Sequence, residues 1–288
     1  MSRFLMGLAA PLPLAILHAV GAFLGWAMYG LSPTYRRHLR GNLEAAGYRD
    51  AATRRAAVAS AGRLLAEIPA LWLRPRPEVA RLVRRIDGWE HVDAARGAGM
   101  GIVFLTPHLG CFELPHKIVA DRIPVTVLYR APKLAWLAPV IEEGRGRQHN
   151  VHLARADRSG VRKLLAALLR KEAVLILPDQ VPGEGEGEWT EYFGNPAYTM
   201  TLAARLAARP GVACLLVFGE RLRGGAGYVM HVRPLPAAGP GESGVRRINR
   251  ALEALIRECP GQYLWGYNRY KRPKGAPEHR PKGVPEQV

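Results

Sequence analysis

The chain has 288 residues, 48% of them hydrophobic, which is enough for one sizeable core and a small accessory region. Against 24 Asp and Glu stand 41 Lys and Arg, a formal charge of +17 that points to an anionic partner: nucleic acid, an acidic membrane surface, a phosphorylated substrate or an acidic carrier protein. Three irregularly spaced cysteines, Cys111, Cys214 and Cys259, fit neither a disulfide framework nor a metal-ligand pattern, and argue for a reducing compartment.

Residues 4–31 contain no Asp, Glu, Lys or Arg. A run of this kind can enter a bilayer, whose crossing takes about 20 apolar residues. Pro11 and Pro13 break its beginning, so residues 12–29 form the better continuous helix. Arg36, Arg37 and Arg40 follow and favour a cytoplasmic downstream side. The rival readings are a cleaved signal peptide, for which the run is long, and a buried N-terminal helix. A membrane anchor or in-plane membrane helix is expected over residues 1–31.

Ser32-Pro33 suits a helix start, with Ser as cap and Pro at the first position, and Gly47 suits its end. Residues 50–72 read as a second, Ala-rich helix with Leu64, Leu65 and Ile68 on one face. Arg74-Pro75-Arg76-Pro77 breaks it, and residues 78–86 read as a short basic helix. The helical region is therefore drawn as 32–85.

From there the pattern alternates. Short apolar, β-branched runs at 101–105, 125–129, 173–178, 212–218 and 228–232 read as buried strands. Helical patterns at 114–121, 134–144, 161–171 and 199–208 separate most of them, and 245–258 reads as the last helix. Such alternation predicts an α/β domain over 86–273, with a central, mostly parallel sheet flanked by helices. Arg223-Gly224-Gly225 between the last two strands suggests a hairpin, making the sheet mixed. Residues 274–288, rich in Pro, Lys and Gly, are expected to be disordered.

The stretch TPHLGCFELPHK, 106–117, lies just past the first of these strands, where open α/β sheets bind ligands. His108 is placed in the loop, Gly110 eases the turn, and Glu113 falls in the first helical turn. A carboxylate there could hold one imidazole nitrogen and leave the other free as a base toward a hydroxyl. A lone histidine after a strand is more often structural, and so is His116. Cys111 could be a nucleophile with His108 as base, but free cysteines are commonly buried small hydrophobes. A nucleic-acid reading lacks zinc-finger spacing or an RNA-binding aromatic signature, and a hydrolase reading lacks a Gly-x-Ser-x-Gly elbow.

The chain resembles the late acyltransferases of lipid A biosynthesis, within the wider glycerolipid acyltransferase-like fold. The resemblance rests on HLGCFE at 108–113, preceded by IDGWEHVDAARGAGMGIVFLTPH, and on the blocks YRAPKLAWLAPVIEEGRGR, LPDQVPGEGEGEWTEYFGNPAYTMTLAARLA and QYLWGYNRYKRP in that order. Many relatives have Asn-Trp where this chain has Cys111-Phe112. The resemblance implies acyl transfer from acyl carrier protein to a hydroxyl of a phosphorylated glycolipid, the lipid A precursor, without a covalent intermediate, metal or cofactor. It implies His108 as general base with Glu113 as its orienting carboxylate. It implies substrate-binding roles for Arg145, Asp179, Gln180 and Arg130. The setting implied is the bacterial inner membrane, with the catalytic domain on the cytoplasmic side. Arginines of the helical region, such as Arg36, Arg54 and Arg84, would each add about 1 kcal/mol of attraction to anionic lipid.

Overall fold

The computed structural model describes residues 2–131, 138–146 and 149–273. The expected tail, 274–288, and the first part of the helix expected at 134–144 lie outside the described residues.

Four helices come first: α1 (Ser2–Ala9), α2 (Leu14–Leu31), α3 (Pro33–Ala45) and α4 (Ala51–Leu73). Their starts follow the sequence signals. The Ser32 hydroxyl accepts from the Tyr35 N–H at 3.2 Å, and the Asp50 carboxylate accepts from the Thr53 N–H at 2.7 Å. After α5 (Arg76–Arg81) the chain enters β1 (Val83–Asp87), α6 (Glu90–Gly97) and β2 (Gly101–Leu105). Then come α7 (Pro115–Ala120), β3 (Val125–Tyr129), α8 (Ala138–Gly146), β4 (Val151–Arg155), α9 (Arg158–Leu169) and β5 (Ala173–Ile176). A two-stranded ribbon, β6 (Gly187–Tyr192) and β7 (Asn195–Met200), precedes α10 (Leu202–Ala207), β8 (Val212–Arg221), β9 (Tyr228–Pro234) and α11 (Gly244–Glu258).

The main sheet has seven strands in the order β1-β9-β8-β2-β5-β3-β4. All its pairings are parallel except β8 with β9, the expected hairpin. Side chains alternate across it. Ile102 and Phe104 face one core with Leu175 and Val217; Val103 and Leu105 face the other with Ile176 and Phe218.

Three expectations need correction. The basic helix expected over 78–86 is α5 followed by β1, and β4 was not anticipated. Both strands are edges of the sheet, so exposed Arg84, Arg85, His152 and Arg155 interrupt the apolar run by which a buried strand is read. The helix expected over 199–208 is shorter, because Thr199 and Met200 belong to β7. That ribbon turns through Phe193 and Gly194, both at positive φ (48° and 72°), the conformation a two-residue hairpin demands. Phe193 is held there by its N–H on the Glu253 carboxylate at 3.0 Å.

The N-terminal helices share the sheet's two cores: Leu39, Leu43 and Val58 enter one, and Leu14, Leu17 and Leu71 the other. Helices α2 and α4 touch backbone to backbone, since a Cβ on Gly62 would sit 1.8 Å from the Gly21 carbonyl oxygen.

Candidate active site

The segment after β2 is tightly tied down. The Cys111 N–H donates to the Gly219 carbonyl at 2.7 Å, the Gly110 N–H to the Gln262 carbonyl at 3.1 Å, and the Leu264 N–H to the His108 carbonyl at 3.0 Å. Gly110 has φ +57°, and a Cβ there would lie 2.0 Å from the Gly219 oxygen, so only glycine lets the loop lie against β8. His108 thus sits at the C-terminal ends of the parallel strands, as expected.

Its partner is not the expected one. Asp179, three residues past β5, is 1% exposed. Its Oδ2 accepts the His108 backbone N–H at 2.8 Å, and its Oδ1 accepts from the ring Nδ1 at 2.8 Å. The Gln180 amide Nε2 lies 3.2 Å from His108 Nε2, which this tautomer leaves as an acceptor. Burial by itself would raise the Asp179 pKa. Attraction to the His108 ring when it is protonated, the two hydrogen bonds from His108, and Arg269 outweigh that and hold the carboxylate below its ordinary range.

Glu113 does not hold His108. It lies in the turn before α7, ahead of the helical turn expected for it, and is 2% exposed. Its carboxylate accepts from Arg145 Nε at 3.0 and 3.1 Å, from Arg145 Nη2, and from Trp72 Nε1 at 3.1 Å. Burial opposes its ionisation, but the Arg145 charge and these hydrogen bonds bring its pKa down to about 2. Local spacing points to a residue five positions on, whereas the carboxylate that reaches the ring comes from the end of the neighbouring strand β5.

His108, Arg130, Arg145 and Gln180 line one cleft of about 200 Å³, with Phe112, Leu128 and Met200 as apolar walls. The Phe112 ring meets the His108 ring edge-on at 4.7 Å. Arg130 is at the rim, 61% exposed, with Nη1 3.5 Å from the Val181 carbonyl. Sequence reading missed Trp72, supplied by α4, and Arg269, whose Nη2 donates to Thr199 Oγ1 at 2.6 Å. Neither sits in a pattern that announces its role, although Arg269 falls within the closing block NRYKRP.

Cys111 is fully buried, and burial next to Glu67 pushes its thiol well above the usual range. The thiol nucleophile weighed above therefore has no support in the structure. Cys111→Ser is expected to keep acyl transfer within about threefold of the parent; a loss of a hundredfold or more, in a folded variant, would restore the thiol mechanism.

His116 is buried, its Nε2 has no hydrogen-bond partner among the described residues, and burial, then the Lys117 charge, hold its pKa down to about 3. Both shifts mean that the folded state releases protons more readily than the unfolded one. Their stabilisation is therefore complete above the ordinary values, 6.5 for His116 and 4.5 for Glu113, and is lost as pH falls toward about 3 and about 2. The urea midpoint is expected to fall steadily between about pH 6 and about pH 4. A midpoint constant over that range would contradict the buried neutral histidine.

A ring clamped by a buried carboxylate, with its other nitrogen open to a cleft and a fixed guanidinium alongside, can take a proton from a hydroxyl and steady an oxyanion. Those are the demands of acyl transfer. The model of the bacterial lipid A biosynthesis acyltransferase family matches residues 2–272, and the chain belongs to that family. It is 29% identical over 226 residues to the lipid A biosynthesis lauroyltransferase of Escherichia coli (strain K12), covering 76% of this chain and 72% of that protein. The lipid A biosynthesis palmitoleoyltransferase of the same organism is 26% identical over 220 residues, covering 75% and 71%. A lipid A biosynthesis acyltransferase of Haemophilus influenzae is 22% identical over 183 residues, covering 62% and 56%. The protein is thus an acyltransferase of lipid A synthesis.

Proposed function

We propose that the protein moves a fatty acyl chain from an acyl carrier protein thioester to a hydroxyl on an acyl chain of a lipid A precursor, with His108 as general base. The observation that carries this reading is the two-oxygen clamp of Asp179 on His108, which leaves Nε2 facing the cleft. Nε2 takes the hydroxyl proton as the oxygen attacks the thioester carbonyl. The C–S bond then breaks, and the departing thiolate receives that proton from the ring, so no acyl-enzyme forms.

Asp179 fixes the tautomer and the ring plane. Arg145 steadies the developing oxyanion. Its plane is fixed by Glu113, so the cation is in position before the charge appears. Gln180 holds Nε2 until the acceptor hydroxyl displaces its amide. Exposed Arg130 meets the phosphorylated headgroup. The excess of basic residues suits an acidic carrier protein and the anionic lipid of the cytoplasmic face of a bacterial inner membrane.

The test is incubation of membranes containing the protein with labelled acyl carrier protein thioester and an under-acylated lipid A precursor, read by mass spectrometry beside His108→Ala. A gain of one acyl chain, lost in the variant, is expected. Release of free fatty acid would indicate a thioesterase instead. An intact thioester with unchanged lipid would send the search to another donor or acceptor.

A further inference from the structure

The described residues include eleven large hydrophobic side chains that are exposed, and nine of these lie between Phe4 and Leu31. Phe4, Leu8, Ile16, Val20, Phe23 and Leu24 are among them, near-fourfold spacing that keeps them on one side of α1 and α2. The opposite side of α2, with Leu14, Leu17, His18, Gly21, Gly25 and Tyr29, is buried. A single helix thus has one face that water does not suit and one face already occupied.

What occupies that face is α4, along the whole of α2. A Cβ on Gly25 would lie 2.3 Å from the Val58 carbonyl, and one on Gly21 would lie 2.6 Å from Arg63 Cα, so the two helices run antiparallel in backbone contact. At the far end, Arg74 Nε donates to the Ala10 carbonyl at 2.7 Å. Midway, His18 Nε2 lies 3.1 Å from the buried Glu67 carboxylate. Helix α4 in turn is part of the domain, with Val58 in one core and Leu71 in the other. Helix α4 is itself long and apolar enough to span, but if α2 and α4 crossed a bilayer together, the sheet packed on α4 would be drawn in with them, carrying Arg63, Glu67 and Arg221 into hydrocarbon at a cost of about 2.5 kcal/mol or more for each charged group. At 18 residues α2 is also only about 27 Å long, just short of a hydrocarbon core of about 30 Å.

We infer that α1 and α2 lie flat in the lipid–water interface, apolar stripe inward, and seat the domain on one leaflet without crossing it. The occupant is a phospholipid bilayer carrying anionic lipid. Arg37, Arg40 and Arg55 are exposed beyond the C-terminal end of α2, and Arg223 is exposed beside its first turn. No acidic residue falls between them and the stripe in residues 4–31. This is the pattern of an interfacial helix, with apolar burial supplemented by attraction to anionic headgroups. The inference deepens the membrane setting of the proposed function, but its test uses no acyl donor or acceptor, so the two can fail separately.

The test places a fluorophore at Ile16→Cys, Phe23→Cys or Leu31→Cys, one at a time, in the full chain with Cys214→Ser and Cys259→Ser. Each protein is bound to vesicles of phosphatidylcholine and phosphatidylglycerol containing nitroxides at defined depths. All three probes are expected to be quenched best by the shallow nitroxide. Deep quenching at Phe23→Cys with shallow quenching at the other two would mean a spanning helix and would overturn the inference. No quenching at any site, with dimers in solution, would mean that a second copy covers the stripe and would also overturn it. As an independent check, Val20→Asp with Phe23→Asp alters only the exposed side. It should weaken vesicle partitioning by at least about tenfold while leaving thermal unfolding of the domain unchanged.

Discussion

Asp179→Asn is expected to lower kcat by about 10²- to 10⁴-fold while leaving the fold and KM nearly intact. The carboxylate accepts two hydrogen bonds from His108, one from the backbone N–H and one from Nδ1, both at 2.8 Å. An asparagine side chain has one acceptor oxygen. If that oxygen stays with the backbone N–H, its amide NH₂ faces the ring and forces Nδ1 to accept. The ring proton then moves to Nε2, which points a donor at the acceptor hydroxyl where a base is required. On the proposed mechanism, asparagine also removes the negative charge that steadies the imidazolium formed as His108 takes the proton. Glu113→Gln should behave differently. It leaves the His108 tautomer alone but loosens Arg145, so its loss should fall on oxyanion stabilisation, in kcat, with the pH dependence of the base unchanged. Steady-state kinetics of both variants, with circular dichroism to check folding, separate the roles. Near-parental kcat in Asp179→Asn beside an inactive Glu113→Gln would mean that the orienting carboxylate is Glu113 after all.

The second large effect lies beneath the same loop. Arg221→Met is expected to destabilise the protein by about 3–5 kcal/mol and to lower Tm by on the order of 10 °C. Glu67 has no solvent exposure, and its carboxylate accepts from Arg221 at 2.6 and 2.8 Å and from the Tyr228 hydroxyl at 3.0 Å. Removing the guanidinium leaves a buried charge that keeps His18 and the Tyr228 hydroxyl but has lost its two strongest donors. It also removes a donor, at 2.6 Å, from the Gly110 carbonyl two residues after His108. Replacing both partners, Glu67→Leu with Arg221→Met, should restore much of the stability, because two apolar side chains leave no charge to solvate. It should not restore kcat, because Gly110 still lacks its donor. Thermal unfolding in detergent reads the first part and turnover the second. A Tm shift below about 2 °C in the single variant would show that the pair carries little of the structure.

Reading the chain from its residues located the central strands because each is a short, continuous apolar run covered on both faces. It located the helix starts at Ser32 and Asp50 because capping is decided within four residues. It missed β1 and β4 because a strand at the edge of a sheet shows solvent a polar side and is identified by its neighbour, as Ile86 is by Met230. It also missed the β6–β7 ribbon, whose turn depends on a phenylalanine in an uncommon conformation, sustained by Glu253 from a distant helix. Arg145 and Gln180 do reach the His108 cleft, but the reason for expecting them was a resemblance of whole sequence blocks.

Some properties were set by the sequence alone: the residue types at the end of β2, the basic surface, and an uncharged apolar opening segment. Residue type and near spacing suffice for these, since a histidine at a strand end and a charge-free run keep their meaning in any fold that buries the strands. Only the tertiary structure decided which carboxylate bonds the histidine and which face of the apolar segment is covered. Asp179 is 71 residues from His108 and Glu67 is 154 from Arg221, so their pairing depends on strand order and on the packing of α2 and α4 against the sheet. Long-range partners of this kind are selected by the cost of leaving a buried charge unpaired, and that cost exists only once the core has closed around them.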